Sequence, residues 1–369
     1  MVLRVLNVVG SLALGGTEQY IVRMAPALRR YGIETEVCLL DRTGPLLEFA
    51  ESAGIHVHGT RARGHLSRTL AYAGFATIRE IASLIRRRHF DVVHSYLFHA
   101  ELVATPAARL ARTRRVIVSR RAVFPWRRPG GAHYFLLESV TNMLANELIA
   151  NSHVVLADAE RTDRLLPKTR TVIYNGVDPD RYGIASPRRT GKFRLVTVGA
   201  LAPRKGQLYA IEALRLVRDA GVDAQLTLVG GGSDEELLRR ASRSNRVGEH
   251  VAFAGPRLDP RPFLLDADLF LLPSRQEGFS NALLEGMASG LPAIVTDVGG
   301  NREAIVNGEG GMVVPPFDPR ALARAIIALA QSRELLSAMG KANRRRVEEI
   351  FSLEASARKL AAWYHAPTL

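Results

Sequence analysis

A single cysteine, Cys38, stands in a chain of 369 residues, so no internal disulfide can form and nothing in the composition asks for an oxidising compartment. No run of about eighteen uncharged apolar residues occurs, which leaves no stretch able to span a bilayer as a helix. The first fifteen residues are apolar, yet Asn7 interrupts them and they pass into Gly15-Gly16-Thr17-Glu18 without a cleavage-like site. A first β-strand is expected there rather than a secretory leader. No Gly-x-Gly-x-x-Gly follows that strand, so a dinucleotide-dependent oxidoreductase fits poorly. Acidic charge is also short: 36 Asp and Glu face 50 Lys and Arg, for a net charge of +14. Residues 1–185 hold 25 of the basic residues against 16 acidic ones, so the excess leans to the first half. The cations do not alternate with aromatics on a recognisable nucleic-acid module, and nucleic acid is not expected as a partner. An anionic membrane surface is the electrostatic partner that remains, set against a merely solvated basic face.

What the chain does have is length and alternation. At 40.4 kDa it exceeds what one core usually supports, and two domains are expected. Strands are read at residues 3–9, 35–40, 55–58, 92–94, 115–119 and 147–150, with helices at 17–30, 45–52, 70–88, 100–112 and 136–145. In the first helix Ile21, Met24, Ala25 and Leu28 recur at helical spacing. Turn chemistry then gathers at Tyr174-Asn-Gly-Val-Asp-Pro-Asp180, followed by a basic, aperiodic stretch. Residues 178–192 are taken as the linker between an N-terminal domain, 1–177, and a C-terminal domain, 193–352. Alternation restarts with strands at 194–199, 225–229, 251–254, 268–272 and 293–296, and helices at 206–220 and 235–245. Apolar spacing over 353–364 predicts a last helix, within 353–369, that packs back on the first domain. Repeated βα units make this an α/β chain of two Rossmann-like, doubly wound parallel sheets, with the ligand edge at the strand C-termini.

The stretch Glu277-Gly-Phe-Ser-Asn-Ala-Leu-Leu-Glu285 carries the chemistry. A helix is expected from Asn281 to about residue 289, with Ser280 as N-cap and Gly290 and Pro292 as stop signals. Glu277 then falls in the loop and Glu285 on the helix, roughly 7 Å up from the cap. The amides of Phe279, Ser280, Asn281 and Ala282 favour an anion at the helix N-terminus. Two carboxylates nearby can accept from hydroxyl groups, which together describes a polyol phosphate. An ordinary strand-loop-helix corner with two surface glutamates is the plainer alternative.

Other motifs fall in order around it: Gly15-Gly16-Thr17-Glu18, Asn151-Ser152, Tyr174-Asn-Gly-Val-Asp178, Val198-Gly199 followed by Lys205-Gly206, Gly286-Met-Ala-Ser-Gly-Leu-Pro292, and Asp297-Val-Gly-Gly300 with Glu303. This set covers essentially the whole chain and resembles the family 4 retaining glycosyltransferases of the GT-B fold. The resemblance implies two Rossmann-like domains facing each other across a cleft, with a UDP- or GDP-linked sugar donor between them. It implies that Glu285 and Glu277 bind the ribose hydroxyls and the transferred sugar. Charge develops on phosphate oxygens as the glycosidic bond breaks, so stabilising it is most of the catalytic task. Lys205 as a point charge and Arg204 as a bidentate fork are the expected cations, and together with Glu277 they form the expected catalytic set. Gly15, Gly16, Gly199 and the amides of 279–282 would bind the donor, with Arg257 and Leu258 flanking its base. The reaction would run on one face of the sugar, the leaving phosphate helping to deprotonate the acceptor hydroxyl. No cofactor and no metal are expected; Asp266-Ala-Asp268 and Asp178-Pro-Asp180 are read as structural.

Two positions depart from the family pattern. Where a Val-Ile-x-Thr-x-His pattern is frequent, this chain has Val116-Ile-Val-Ser-Arg-Arg121, ending in a fixed cation that cannot exchange a proton near neutrality. The Arg that commonly follows the strand glycine is Ala200. These departures leave open a non-catalytic scaffold of the same fold that binds nucleotide sugar. Arg121 and His99 are the expected acceptor or sugar contacts, whereas His94, inside a strand, is read as core. Arg120 to Arg128, with Phe124 and Trp126, followed by Pro129-Gly-Gly131, suits either the interface of an anionic bilayer or an ordinary surface loop. The expected acceptor is a glycan or lipid-linked saccharide of a bacterial cell envelope. The expected location is cytoplasmic, peripheral at the inner face of the membrane.

Overall fold

The computed structural model describes residues 2–60, 70–123, 132–185 and 191–367. The chain divides into two units, Met1–Asn175 with Leu353–Leu369, and Gly176–Ser352.

In the first unit β1 (Leu3–Val9), β2 (Ile33–Leu39), β3 (Val57–Gly59), β4 (Val92–Tyr96), β5 (Arg115–Arg120), β6 (Glu147–Ala150) and β7 (Thr169–Val172) form one sheet. Their order is β3-β2-β1-β4-β5-β6-β7, and every pairing is parallel. β1 is apolar on both sides because both sides are covered. Val5 and Val9 enter a core with Ile21, Met24 and Leu28 of the helix Gly16–Arg29. Leu6 and Val8, one residue out of phase, enter the opposite core with Ile81, Ile85, Val103 and Ala107. The last helix, Leu353–His365, belongs to this unit and adds Leu360, Ala361 and Tyr364 to the first of these cores. Its end is fixed by Arg115, whose guanidinium donates to the carbonyls of Trp363, Tyr364 and Ala366 at 2.9, 2.5 and 3.0 Å. Carbonyls in the last turn of a helix run short of amide partners, and a cation there also suits the helix dipole. Glu147 holds the same guanidinium through two 2.7 Å bonds.

The second unit contains β8 (Phe193–Val198), β9 (Ala224–Val229), β10 (Val251–Gly255), β11 (Leu269–Leu272), β12 (Ala293–Thr296) and β13 (Gly311–Val314). The order is β10-β9-β8-β11-β12-β13, again all parallel. Leu195, Leu226, Leu269 and Ile294 pack with Ile211, Leu214, Ile326 and Leu329 from the covering helices. In each sheet the order reverses beside the first strand, between β1 and β4 and between β8 and β11. In doubly wound sheets that reversal opens a crevice at the strand C-termini, where ligands bind.

The chain leaves the first unit at Asn175 and returns at Leu353. Residues 178–185, expected as linker, are packed into the second unit instead. Asp178 accepts from the Asp180 amide at 3.2 Å to start the 3-10 turn Pro179–Arg181, and Tyr182 and Ala185 are buried. Arg344 closes the segment down by donating to the carbonyls of Pro179, Tyr182 and Ala288 at 2.9, 2.9 and 2.7 Å. The remainder of the expected linker, residues 186–190, lies outside the described residues.

Candidate functional site

The loops that leave β8 and β11 meet backbone to backbone. Gly206 has φ +66, and a Cβ there would stand 2.0 Å from the Pro273 carbonyl oxygen. The Arg204 carbonyl accepts from the amides of Arg275 and Gln276 at 2.8 and 3.3 Å. Held this close, Lys205 Nζ donates to Glu277 Oε1 at 2.5 Å, and Ser274 Oγ donates to the same oxygen at 2.7 Å. Both side chains are largely out of solvent, at 13% and 6% exposure. Glu277 is fixed from behind as well. Gly299 lies under its carbonyl with φ +52, where a Cβ would be 2.2 Å away, and Gly300 donates to the Gly278 carbonyl at 2.7 Å. Thr296, at the end of β12, donates to the Ser274 carbonyl at 2.5 Å, and Asn301 donates to the Thr296 carbonyl at 2.9 Å.

The helix Asn281–Ala288 starts where the sequence places it. Ser280 is extended, and its Oγ accepts from the Leu283 amide at 3.3 Å. Gly286 sets the helix against β11, since a Cβ there would come within 2.8 Å of the Phe270 ring. Glu285 is buried on the second turn, and the Phe279 ring packs against Phe351 at 5.3 Å. Gly199 follows β8 at φ +145, and the Ala200 carbonyl takes a 2.9 Å bond from Gln207. Arg204 and Arg257 are exposed, and Leu258 is 67% exposed. Arg257 donates to the Ala254 carbonyl at 3.0 Å.

In the first unit Gly15 is the N-cap of the helix Gly16–Arg29. The Glu18 carboxylate folds back over it, so that a Cβ on Gly15 would meet Glu18 Oε2 at 2.1 Å. Burial raises the Glu18 carboxyl above its usual range, against the bond to its own backbone and the pull of Arg121. Arg121, just past β5, is 6% exposed. Its guanidinium lies 3.8 Å from the centre of the Tyr20 ring and donates to Asn175 Oδ1 at 2.7 Å. His99 is exposed in the first turn of the helix Phe98–Leu110, directly after Leu97 at φ +70. A leucine in that conformation is strained, and such strain concentrates at functional loops.

The family model described as Glycosyltransferase Family 4 matches residues 14–181, and that described as Glycosyl transferases group 1 matches residues 192–332. Glycogen synthase of Mycobacterium tuberculosis is 31% identical over 291 residues, 75% of this chain and 69% of that protein. The chain belongs to glycosyltransferase family 4. Phosphatidyl-myo-inositol mannosyltransferase of Mycobacterium leprae is 29% identical to this glycosyltransferase over 338 residues, 86% of its length and 84% of that protein. Among solved structures, Anabaena HepE in complex with UDP and glucose superposes with a TM-score of 0.84 at 21% identity, covering 98% of this chain and 99% of that one. The fold is therefore GT-B.

Against its sequence, the glycosyltransferase brings together Lys205, Glu277 and the start of the helix that carries Glu285, all in the second unit. Gly15, Gly16, His99 and Arg121 belong to the first. Ser274 was not singled out as a site residue; the Pro273-Ser274 pair closing β11 is the only sequence signal for it. Tyr20 also escaped, because a ring that supports a guanidinium has no spacing signature, whereas its companion Asn175 lies in the quoted Tyr174-Asn-Gly-Val-Asp178 motif without a role assigned there.

The aspartate pairs are structural. Arg194 holds Asp268 at 3.1 Å and Asp266 at 2.6 Å, at the opposite end of β8 and β11 from Lys205 and Glu277. His94 is core, between Ser119 Oγ at 2.7 Å and the Tyr364 hydroxyl at 2.6 Å, and burial holds it well below its ordinary range. Among the described residues Glu36, His56 and His58 bring ligand atoms within 4.8 Å of one another. Arg4 and Arg88 already hold Glu36 at 2.8 and 2.7 Å, and a cation would face both.

The reading of residues 120–131 as a surface stretch needs correction at its start. Arg120 is 1% exposed and pairs with Glu101 at 2.5 Å, Glu138 at 3.2 Å and Asp163 at 3.3 Å, with Asn142 accepting at 2.8 Å. Three carboxylates from three helical segments draw it inward. Burial pushes the Glu101 carboxyl up to about 7 in spite of Arg120. Phe124, Trp126, Arg127, Arg128 and the glycines after them lie outside the described residues.

Proposed function

We propose that the protein is a retaining, metal-independent glycosyltransferase that moves a sugar from a UDP- or GDP-linked donor to a glycan or lipid-linked acceptor of a cell envelope. The carrying observation is the Lys205–Glu277 pair at the reversal point of the second sheet. There the ammonium is held by a carboxylate that the Ser274 hydroxyl fixes in turn, at the strand C-terminal edge where a ligand of this fold lies. Lys205, with Arg204 beside it, takes up charge as the diphosphate leaves, and the amides at Phe279 to Ala282 share that task without a metal. Glu285 and Glu277 grip ribose and sugar hydroxyls. Gly15, Gly16 and Gly199 border the phosphates, and Arg257 and Leu258 the base. His99 and Arg121 meet the acceptor or the sugar. The leaving phosphate accepts the acceptor's proton on the same face, which retains the anomeric configuration. Neighbours of this fold crystallised with UDP and with UDP-glucose support the donor class. No described helix is long and apolar enough to cross a membrane, and we place the enzyme in the cytoplasm, peripheral at the membrane.

The test is a panel of UDP-, GDP- and ADP-sugars with nucleoside diphosphate release as readout, in the presence of glycan acceptors. Release that Glu285→Ala abolishes is the expected result. Tight binding without release from any donor would overturn catalysis in favour of a nucleotide-sugar-binding scaffold, the reading that Arg121 and Ala200 motivate.

A further inference from the structure

The helix Ala132–Leu144 turns its polar residues inward and its apolar residues out. Glu138, Thr141 and Asn142 are 3%, 1% and 1% exposed, while Leu136, Val140 and Met143 are 68%, 41% and 60% exposed. The Arg120 cluster explains the inward side, since Glu138 and Asn142 are its partners. It does not explain the outward side. Positions 136, 140 and 143 follow helical spacing and make one stripe, and no other described side chain of this helix is exposed. Single exposed apolar residues are ordinary, but a contiguous stripe on a helix whose described side chains put no charge outward marks an interaction surface.

The surroundings say what kind. Arg109 donates to the Leu144 carbonyl and Arg86 to the Leu110 carbonyl, which joins the C-terminal ends of three neighbouring helices. Leu110 is itself 51% exposed, and Arg86, Arg87, Arg112 and Arg114 are exposed around it. The acids of these helices and their strands are withdrawn: Glu101, Glu138 and Glu147 are buried and Glu80 is half-buried, leaving Asp91 exposed. An apolar stripe beside a basic rim repels a second copy of itself and matches an anionic bilayer surface.

We propose that the first unit docks on anionic membrane through Leu136, Val140 and Met143, with the neighbouring arginines against the headgroups. The inference rests on the peripheral location above and gives it a surface. It is tested with the full chain by co-sedimentation with vesicles of phosphatidylcholine, alone or mixed with phosphatidylglycerol, at low and high salt. Binding is expected only to the anionic vesicles and is expected to weaken with salt. Leu136→Gln/Met143→Gln should lower it about tenfold or more, since two exposed side chains lose their apolar burial. Leu237→Gln, at a 46% exposed position of the second unit, should leave it unchanged. If the wild type binds and the double variant binds equally, this surface is wrong while the peripheral location stands. If the wild type binds neither vesicle, both fail. A wild-type dimer in sedimentation equilibrium that the double variant converts to monomer would overturn the bilayer in favour of a second copy. UDP binding and donor turnover should be untouched in every variant, so a failure of the catalytic reading registers separately.

Discussion

At the reversal point of the second sheet the loops are locked through main chain: Gly206 under Pro273, Gly299 under Glu277, the Arg204 carbonyl shared by two amides. At the corresponding place in the first sheet the parts are held through side chains, with Arg121 stacked on Tyr20 and bonded to Asn175. A site closed by backbone contacts admits no Cβ at its glycines, so its geometry survives only with its sequence. A site closed by side chains can exchange one group for another without moving the chain. This accounts for the departure at Arg121, though not for the one at Ala200, which lies in the second unit. Arg121 replaces a frequent histidine in the unit built through side chains, whereas the Lys205-Gly206 and Glu277–Glu285 motifs stand intact in the unit locked through main chain.

The largest test breaks the first unit alone. Arg120→Ala leaves Glu101, Glu138 and Asp163 facing one another out of solvent, and removing one partner of a buried ion cluster costs about 3–5 kcal/mol. Urea unfolding should show that loss, while UDP binding to the folded protein stays as it was. A loss under about 1 kcal/mol would mean the cluster is no firmer than a surface pair.

Next in size is Lys205→Ala. If the ammonium stabilises the leaving diphosphate, kcat should fall by roughly 10²–10³, the usual effect of deleting one preorganised donor. Product UDP should also bind more weakly. A variant that loses stability but keeps kcat would make the Lys205–Glu277 pair a structural clasp and would erase the contrast between the two halves.

Much of this was legible in the residues. Long apolar strands such as β1 announce themselves because both faces are covered, and helix starts at Ser280 and ends at Gly290 follow from capping chemistry. β7 and β13 did not, for a physical reason. Each is a four-residue edge strand; one reads Thr-Arg-Thr-Val and is only half-buried, the other begins at Gly311. Neither has the period or the apolar run that marks a strand. Lys205 and Glu277 were each picked out by motif, but they are 72 residues apart and only the strand order brings them to one crevice. Arg120 shows the opposite limit. Read with the basic residues after it, it looked like surface, because its acidic partners lie on other elements that spacing does not connect.

The smallest effect sharpens the comparison most, because it applies one substitution to both units. Ser152 caps the helix His153–Thr162 through a 3.2 Å bond from the Val155 amide, and Ser280 caps Asn281–Ala288 through a 3.3 Å bond from Leu283. Both serines are buried, so replacing either with Ala should cost about 1 kcal/mol of stability. Their consequences for ligand should separate. In the proposed site Ser280 begins the helix whose first turn meets the donor phosphates, and a frayed first turn weakens an anion site by roughly 0.3–1 kcal/mol, about two- to fivefold in Kd for UDP. Ser152→Ala carries the same local damage in the other unit and should leave that Kd unchanged. Calorimetric titration of UDP into both variants reads the difference directly. Equal weakening in the two would trace the effect to lost stability and remove the helix at Ser280 from the donor site.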